Sequence, residues 1–178
     1  MAITRIGGAN AITGTLPATN INDTSIGNIT ALPAGVGGKV LQVVTATDST
    51  QRNTNSTSFV TASNTLSVNI TPSATSSKVF VVVNTTAYNN NSGVSMALTI
   101  YRDSSDLGNG VYGMINSYDT NTSGQRTIGQ PTSMSVLDSP SSTSQLTYQV
   151  YVRTDSSGEI YFNYADIKAS ITAFEIAG

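Results

Sequence analysis

From Lys39 onward, apolar residues return at every second position in short runs, and each run is closed by a cluster of Ser, Asn, Asp or Gly. Period-two alternation is what a strand with one buried face requires, because successive side chains point to opposite sides of a sheet. "KVLQVVTAT" (39 to 47) opens the series, and "TSFVTA" (57 to 62) follows a polar turn. In "LSVNI" (66 to 70), Leu66, Val68 and Ile70 share one face. "KVFVVVNTTA" (78 to 87) carries Val79, Val81 and Val83 on one side and Phe80 and Val82 on the other, which predicts a central strand with apolar surface on both faces. "VSMALTIYR" (94 to 102) sets Val94, Met96, Leu98 and Ile100 inward and Ser95, Thr99 and Tyr101 outward. Asn109-Gly110 then predicts a type I′ hairpin turn, since both residues tolerate positive φ, and "VYGMINSY" is the return strand.

"TIGQPTSMSVLD" (127 to 138) contains Pro131, which lacks a ladder donor and places this strand at an edge or bulge. "LTYQVYVRT" (146 to 154) directs Leu146, Tyr148, Val150 and Val152 to one side, and "EIYFNY" (159 to 164) and "ASITAFEI" (169 to 176) complete the set. About nine strands and no helix pattern predict an all-β fold. The expected architecture is an antiparallel two-sheet sandwich, jelly-roll-like, since parallel βαβ units need crossover helices that this pattern lacks.

Residues 1 to 38 break the rhythm. "ITGTLPATNINDTSIGNITALPAG" (12 to 35) contains two LPA units and isolated Ile residues among hydroxyls, too little apolar surface to offset the entropy of ordering a backbone. Two readings stay open: a flexible linker or tail, or an extended arm ordered by other polypeptides. In the second, Leu16, Pro17, Ile21, Ile26, Ile29, Leu32 and Pro33 are the anchoring side chains, with the prolines fixing φ where no donor is wanted. The expected division is an arm over 1–38 and a sandwich domain over 39–178.

Composition narrows the function. Charged residues make up 10%, and eight Lys and Arg against ten Asp and Glu leave a net charge of -2, so no basic footprint exists for phosphates or anionic lipid. Nucleic acid is excluded as an expected partner. No stretch approaches the 18 or so consecutive apolar residues of a membrane span, and the first residues lack the apolar run of a signal peptide. No membrane insertion is expected.

With no His and no Cys, neither Ser-His-Asp nor Cys-His catalysis can be built, nor the usual zinc sites. Paired carboxylates for glycoside cleavage reduce to Asp103 and Asp106, which flank a hairpin where Asp ordinarily shapes the turn. "DTNTSG" (119 to 124) resembles the start of a calcium loop through Asp119, Asn121 and Ser123, but position twelve is Gln130 where a bidentate Glu belongs. A plain polar loop is the reading preferred over a metal site. No cofactor is expected. Eight Tyr and no Trp leave Tyr88, Tyr101, Tyr112, Tyr118 and Tyr151 on outward faces or loops. Of these, Tyr88, Tyr112 and Tyr118 are candidate glycan contacts, because exposed rings stack on sugars.

Four stretches in order, "GTLPATNI…ITALPAGVGGKVLQVV", "ITPSATSSKVFVVV", "LDSPSSTSQLTYQVYVR" and "SITAFEIAG", resemble virion-associated proteins of tailed bacteriophages, notably marine and cyanobacterial phages. Nearly the whole chain is covered. The resemblance implies a small trimeric β-sandwich of the tail-fibre, fibre-tip or capsid-decoration type, located in the virion, with itself and other virion proteins as partners. It aligns Leu137, Asp138, Ser139 and Pro140 with a loop, Tyr161 and Asn163 with a return strand, and Glu175 with a penultimate acidic position. Asp138 is expected to cap its turn. The family offers no catalytic residues, so the expected protein is not an enzyme. A short tail fibre or tip contacting a host surface glycan is preferred over a head decoration protein, and a small glycan-binding or glycan-cleaving module is the remoter alternative.

Overall fold

The computed structural model describes residues 39–91, 93–118, 129–156 and 158–178. The strands in chain order are β1 (Val40–Asp48), β2 (Arg52–Thr54), β3 (Val60–Thr61), β4 (Ser67–Ile70), β5 (Lys78–Asn89), β6 (Ser95–Arg102), β7 (Ser105–Asp106), β8 (Ile115–Tyr118), β9 (Gln130–Asp138), β10 (Leu146–Thr154), β11 (Ile160–Phe162) and β12 (Ala169–Ile176). One sheet runs β1-β12-β5-β11-β2, with β9 on the remaining edge of β5. The other runs β3-β10-β6-β7, with β4 added to β10 and β8 to β6. Every pairing among them is antiparallel.

Several short strands are pieces of one longer lane. β12 pairs with Lys78–Asn84 of β5 and β11 with its Ala87–Asn89, both along one edge, and β1 and β2 continue those two pieces outward. β3 with β4, and β7 with β8, share lanes in the same way. Counting each lane once, the two sheets read 1-8-3-6 and 2-7-4-5. That is the jelly-roll order, in which only lanes 4 and 5 pair as neighbours in sequence.

The core lies where the inward registers meet. Val79, Val81 and Val83 of β5, Ile171 of β12, Leu98 and Ile100 of β6, and Tyr148 and Val150 of β10 have essentially no exposure. All are positions that the period-two pattern assigns inward. β9 pairs only with β5, so Pro131 sits on an edge strand where its missing N–H breaks no ladder.

The β6 hairpin departs from expectation. Its tight turn lies at Asp103 and Ser104, since Arg102 pairs with Ser105, and Asp103 takes φ 51°. Asn109 instead builds a second turn, its Oδ1 accepting the N–H groups of Val111 and Tyr112 at 2.9 and 3.0 Å. The return strand is correspondingly shorter, Ile115–Tyr118. Asp is among the few residues besides Gly that enter the left-handed region, and here Asp103 Oδ1 accepts the N–H of Thr147, 44 positions away, at 2.9 Å.

Strand direction gives residues 39–178 two distinct ends. The 71–77 and 139–145 connections and the 103–104 turn lie at one, together with Lys39 and Ala177, whose backbones are joined by a 2.7 Å hydrogen bond. The 55–59, 90–94 and 155–159 connections lie at the other. The arm residues expected to anchor, Leu16 to Pro33, fall outside the described residues, as do Asp119, Asn121 and Ser123.

Candidate interaction surface

The end that holds Lys39 is fastened by carboxylates set in inward registers. Asp138, last in β9, accepts both 2.8 and 2.9 Å hydrogen bonds from Arg102 Nη1 and one of 2.6 Å from the Tyr148 hydroxyl. This is not the turn cap expected of Asp138. It ties the last residue of a strand in one sheet to two strands of the other. Burial, and then the bond to Asp138, push the Tyr148 hydroxyl far above its usual range, so it remains a neutral donor.

Glu175 is 1% exposed, and its Oε1 accepts Ser73 N–H, Ser73 Oγ and Ser77 Oγ at 2.6, 2.6 and 2.8 Å. Burial alone would raise its pKa, but the Ser73 and Ser77 donors together outweigh it and hold the carboxyl below the usual range. The loop between β4 and β5 is thereby clamped to β12. Asp48, last in β1 and away from the Lys39 end, is a third case. Burial opposes its charge, yet Ser63 Oγ, Thr50 N–H and Arg52 stabilise it and lower its pKa to about 2. Each of these carboxylates is committed to holding the fold.

On the outward side of the β1-β12-β5-β9 sheet the register creates cross-strand rows. Val43 pairs with Phe174, Phe174 with Phe80, and Phe80 with Leu137, so four large apolar side chains cross the sheet on the face opposite the core. Val43 is 55% and Leu137 51% exposed, and the Phe80 and Phe174 rings lie 6.2 Å apart between them. The neighbouring row holds Val40, 52% exposed, paired with Ile176 and continued by Lys78. Toward the other end, the rows turn to Thr45, Thr172, Val82 and Ser135, then Thr47, Ser170, Asn84 and Ser133. Thr45 and Thr172 hydroxyls are 3.0 Å apart. Lys78 is the one charged residue among these positions.

No family model matches the chain, and no curated protein matches it. Similar solved structures are particles of infectious bursal disease virus. The VP2 subviral particle aligns with TM-score 0.39 and 15% identity over 77% of this chain and 37% of its own. The T13 viral particle aligns with TM-score 0.37 and 16% identity over 77% and 36%. The chain thus spans little more than a third of those proteins' length.

On the outward side of the second sheet, β6 is buried more deeply than alternation predicts. Thr99 and Ala97 point outward by alternation yet are 0% and 2% exposed, and Gly108 stands directly beside the Thr99 hydroxyl. Gly113 has φ +66°, and a Cβ there would stand 2.3 Å from Leu98 O. Thr99 Oγ1 donates to Asp106 Oδ1 at 2.6 Å, and the same oxygen accepts Gly108 N–H at 2.9 Å. Asp106 therefore shapes a turn, while Asp103 serves Thr147. Tyr101 stacks on Tyr151 at 4.0 Å, and Arg153 lies over Phe59 at 5.7 Å.

Of the candidate glycan contacts, Tyr88 is 7% exposed, stacked on Tyr161 at 4.6 Å with Tyr164 edge-on at 4.6 Å. Neighbouring rings cover the ring of Tyr88 that alternation turns outward. Tyr112 and Tyr118 are 60% and 55% exposed. A cavity of about 80 Å³ between β2 and β3, lined by Arg52, Thr54, Ala62, Val152, Ile160 and Phe162, has room for a few water molecules. Among the described residues no group of three or more Asp or Glu is placed to hold a metal, and no helix is long and apolar enough to cross a membrane.

Alternation contained a signal for the fastening carboxylates. Met96, Leu98, Ile100, Arg102 and Met134, Val136, Asp138 and Ile171, Ala173, Glu175 each carry an inward series onto a charged residue. A charge in an inward register needs a partner, which predicts a pair or a clamp. The sequence did not name which.

Proposed function

We propose that this chain is a non-enzymatic structural protein of a virus particle, working as a homotrimer. In this reading residues 1–38 attach it to another virion protein and the sandwich projects as a short tail fibre or fibre tip that meets the host surface. The observation that carries the reading is the polarity of the 39–178 unit. Lys39, where the preceding segment joins, lies at the end fastened by Asp138 and Glu175, and the opposite end presents the 55–59, 90–94 and 155–159 connections. A module attached at the end fastened by Asp138 and Glu175 leaves the three connections of the opposite end free to project.

The ordered resemblance to tailed-phage virion proteins supports the same reading. So does the use of Asp48, Asp138 and Glu175, which tie loops and sheets together. The test is proteomic and functional. The protein is expected in purified particles, and particles lacking it are expected to adsorb poorly to host cells while keeping their thermal resistance. Loss of thermal or osmotic resistance with normal adsorption would assign it to head decoration instead, and absence from purified particles would overturn the virion reading.

A further inference from the structure

We infer that the outward face of the β1-β12-β5-β9 sheet, centred on Val43, Phe174, Phe80 and Leu137, is where a second copy of this chain docks. The inference rests on the reading above that the protein works as a homo-oligomer, and it names the surface.

The first argument is the pattern of the face. A solvated sheet face in a sandwich carries polar residues at alternate positions, as the core side takes the apolar ones. Here the alternation fails in neighbouring rows only. Val40 and Ile176 form one row, Val43, Phe174, Phe80 and Leu137 the next, and Val82 enters the third. Four strands at about 4.8 Å spacing and rows about 7 Å apart make this a patch about 14 Å square. Apolar edges and faces left uncovered on a flat sheet invite non-specific association, so a specific occupant is the stable solution.

Charge decides the kind of occupant. Among the rows from Val40 to Ser133, Lys78 alone is charged and it sits at the margin, so the face has no field to recognise nucleic acid, an anionic lipid surface or an acidic protein. A like copy meets no charge repulsion here, whichever of its surfaces it brings, because this face is neutral apart from Lys78. A subunit contact needs about 800 Å² from each partner, more than the apolar patch supplies, so it must spread over the adjoining rows. Those rows are Thr45, Thr172, Ser135, Thr47, Ser170 and Ser133, hydroxyls that act as a neutral polar rim. The patch also lies at the end where Lys39 continues into residues 1–38, so contacts made here join copies at the attached end.

The experiment is sedimentation velocity of the full chain and of Val43→Glu, Leu137→Glu and Val111→Glu, with circular dichroism melts to check folding. All three positions are about half exposed, which lets a Glu reach water in a lone subunit. Wild type is expected to sediment as an oligomer, Val43→Glu and Leu137→Glu as folded single subunits, and Val111→Glu, on the connection between β7 and β8, as the wild-type oligomer. A wild-type monomer, oligomers that survive both sheet substitutions, or equal dissociation of all three variants would overturn the inference. If both sheet variants dissociate but the protein is absent from particles, the docking face stands and the virion reading fails.

Discussion

Replacing Glu175 tests how much of the stability resides in one buried carboxylate. Its Oε1 takes three donors, and both it and Ser77 are nearly inaccessible, at 1% and 2% exposure. Glu175→Ala strands the Ser77 hydroxyl in the interior and removes three bonds to a charged acceptor. An unmet buried donor costs about 1–3 kcal/mol, and Ser73 can turn to water, so a loss of about 3 kcal/mol is expected. Glu175→Gln keeps an acceptor oxygen and forfeits only the charge assistance, about 1 kcal/mol.

The pH dependence separates the two effects. A carboxyl whose pKa is lower in the folded state stabilises fully above its unfolded value, ordinarily 4.5, and loses that contribution as pH falls through the folded value. Urea denaturation of wild type and Glu175→Gln, near neutrality and again below pH 4.5, should therefore show the gap between them shrinking in acid. A gap that stays constant with pH, or a Glu175→Ala variant within about 0.5 kcal/mol of wild type, would refute the clamp.

Asp138→Ala should cost about 2–4 kcal/mol by leaving Arg102 and Tyr148 without their acceptor, while Arg102→Met and Tyr148→Phe together with Asp138→Leu should recover most of it in the same denaturation assay. Gly113→Ala should lower the melting temperature sharply, since its Cβ would press against Leu98 O at φ +66°; a variant that melts with wild type would dismiss the close approach. Asp48→Asn should remove about 2 kcal/mol near neutrality, from a pKa lowered from 3.8 to about 2, and should flatten the acid dependence between those two values. Unchanged acid unfolding in that variant would count against the Ser63 and Arg52 network.

The alternation of residues determined the strands and their inward faces by itself. β10 and β12 appear with the bounds the pattern assigns, and Leu146, Tyr148, Val150 and Val152 are all buried. This works because side-chain direction in a strand is a local property with a period of two. What covers the opposite face is not local. Phe80 and Val82 read as meeting apolar surface, but only cross-strand register set Phe80 between Phe174 and Leu137 in a half-exposed row. The same is true of Thr99 and Tyr88, which alternation turns outward and which the Asp106–Gly108 turn and two tyrosines enclose. The hairpin moved from Asn109-Gly110 to Asp103-Ser104 because tertiary contacts to Thr147 fix Asp103, whereas dipeptide preference describes only an isolated turn. Charge in an inward register announced a partner for Asp138 and Glu175. Only the tertiary packing, which brings together residues up to 102 positions apart, decided that the partners were Arg102, Tyr148, Ser73 and Ser77.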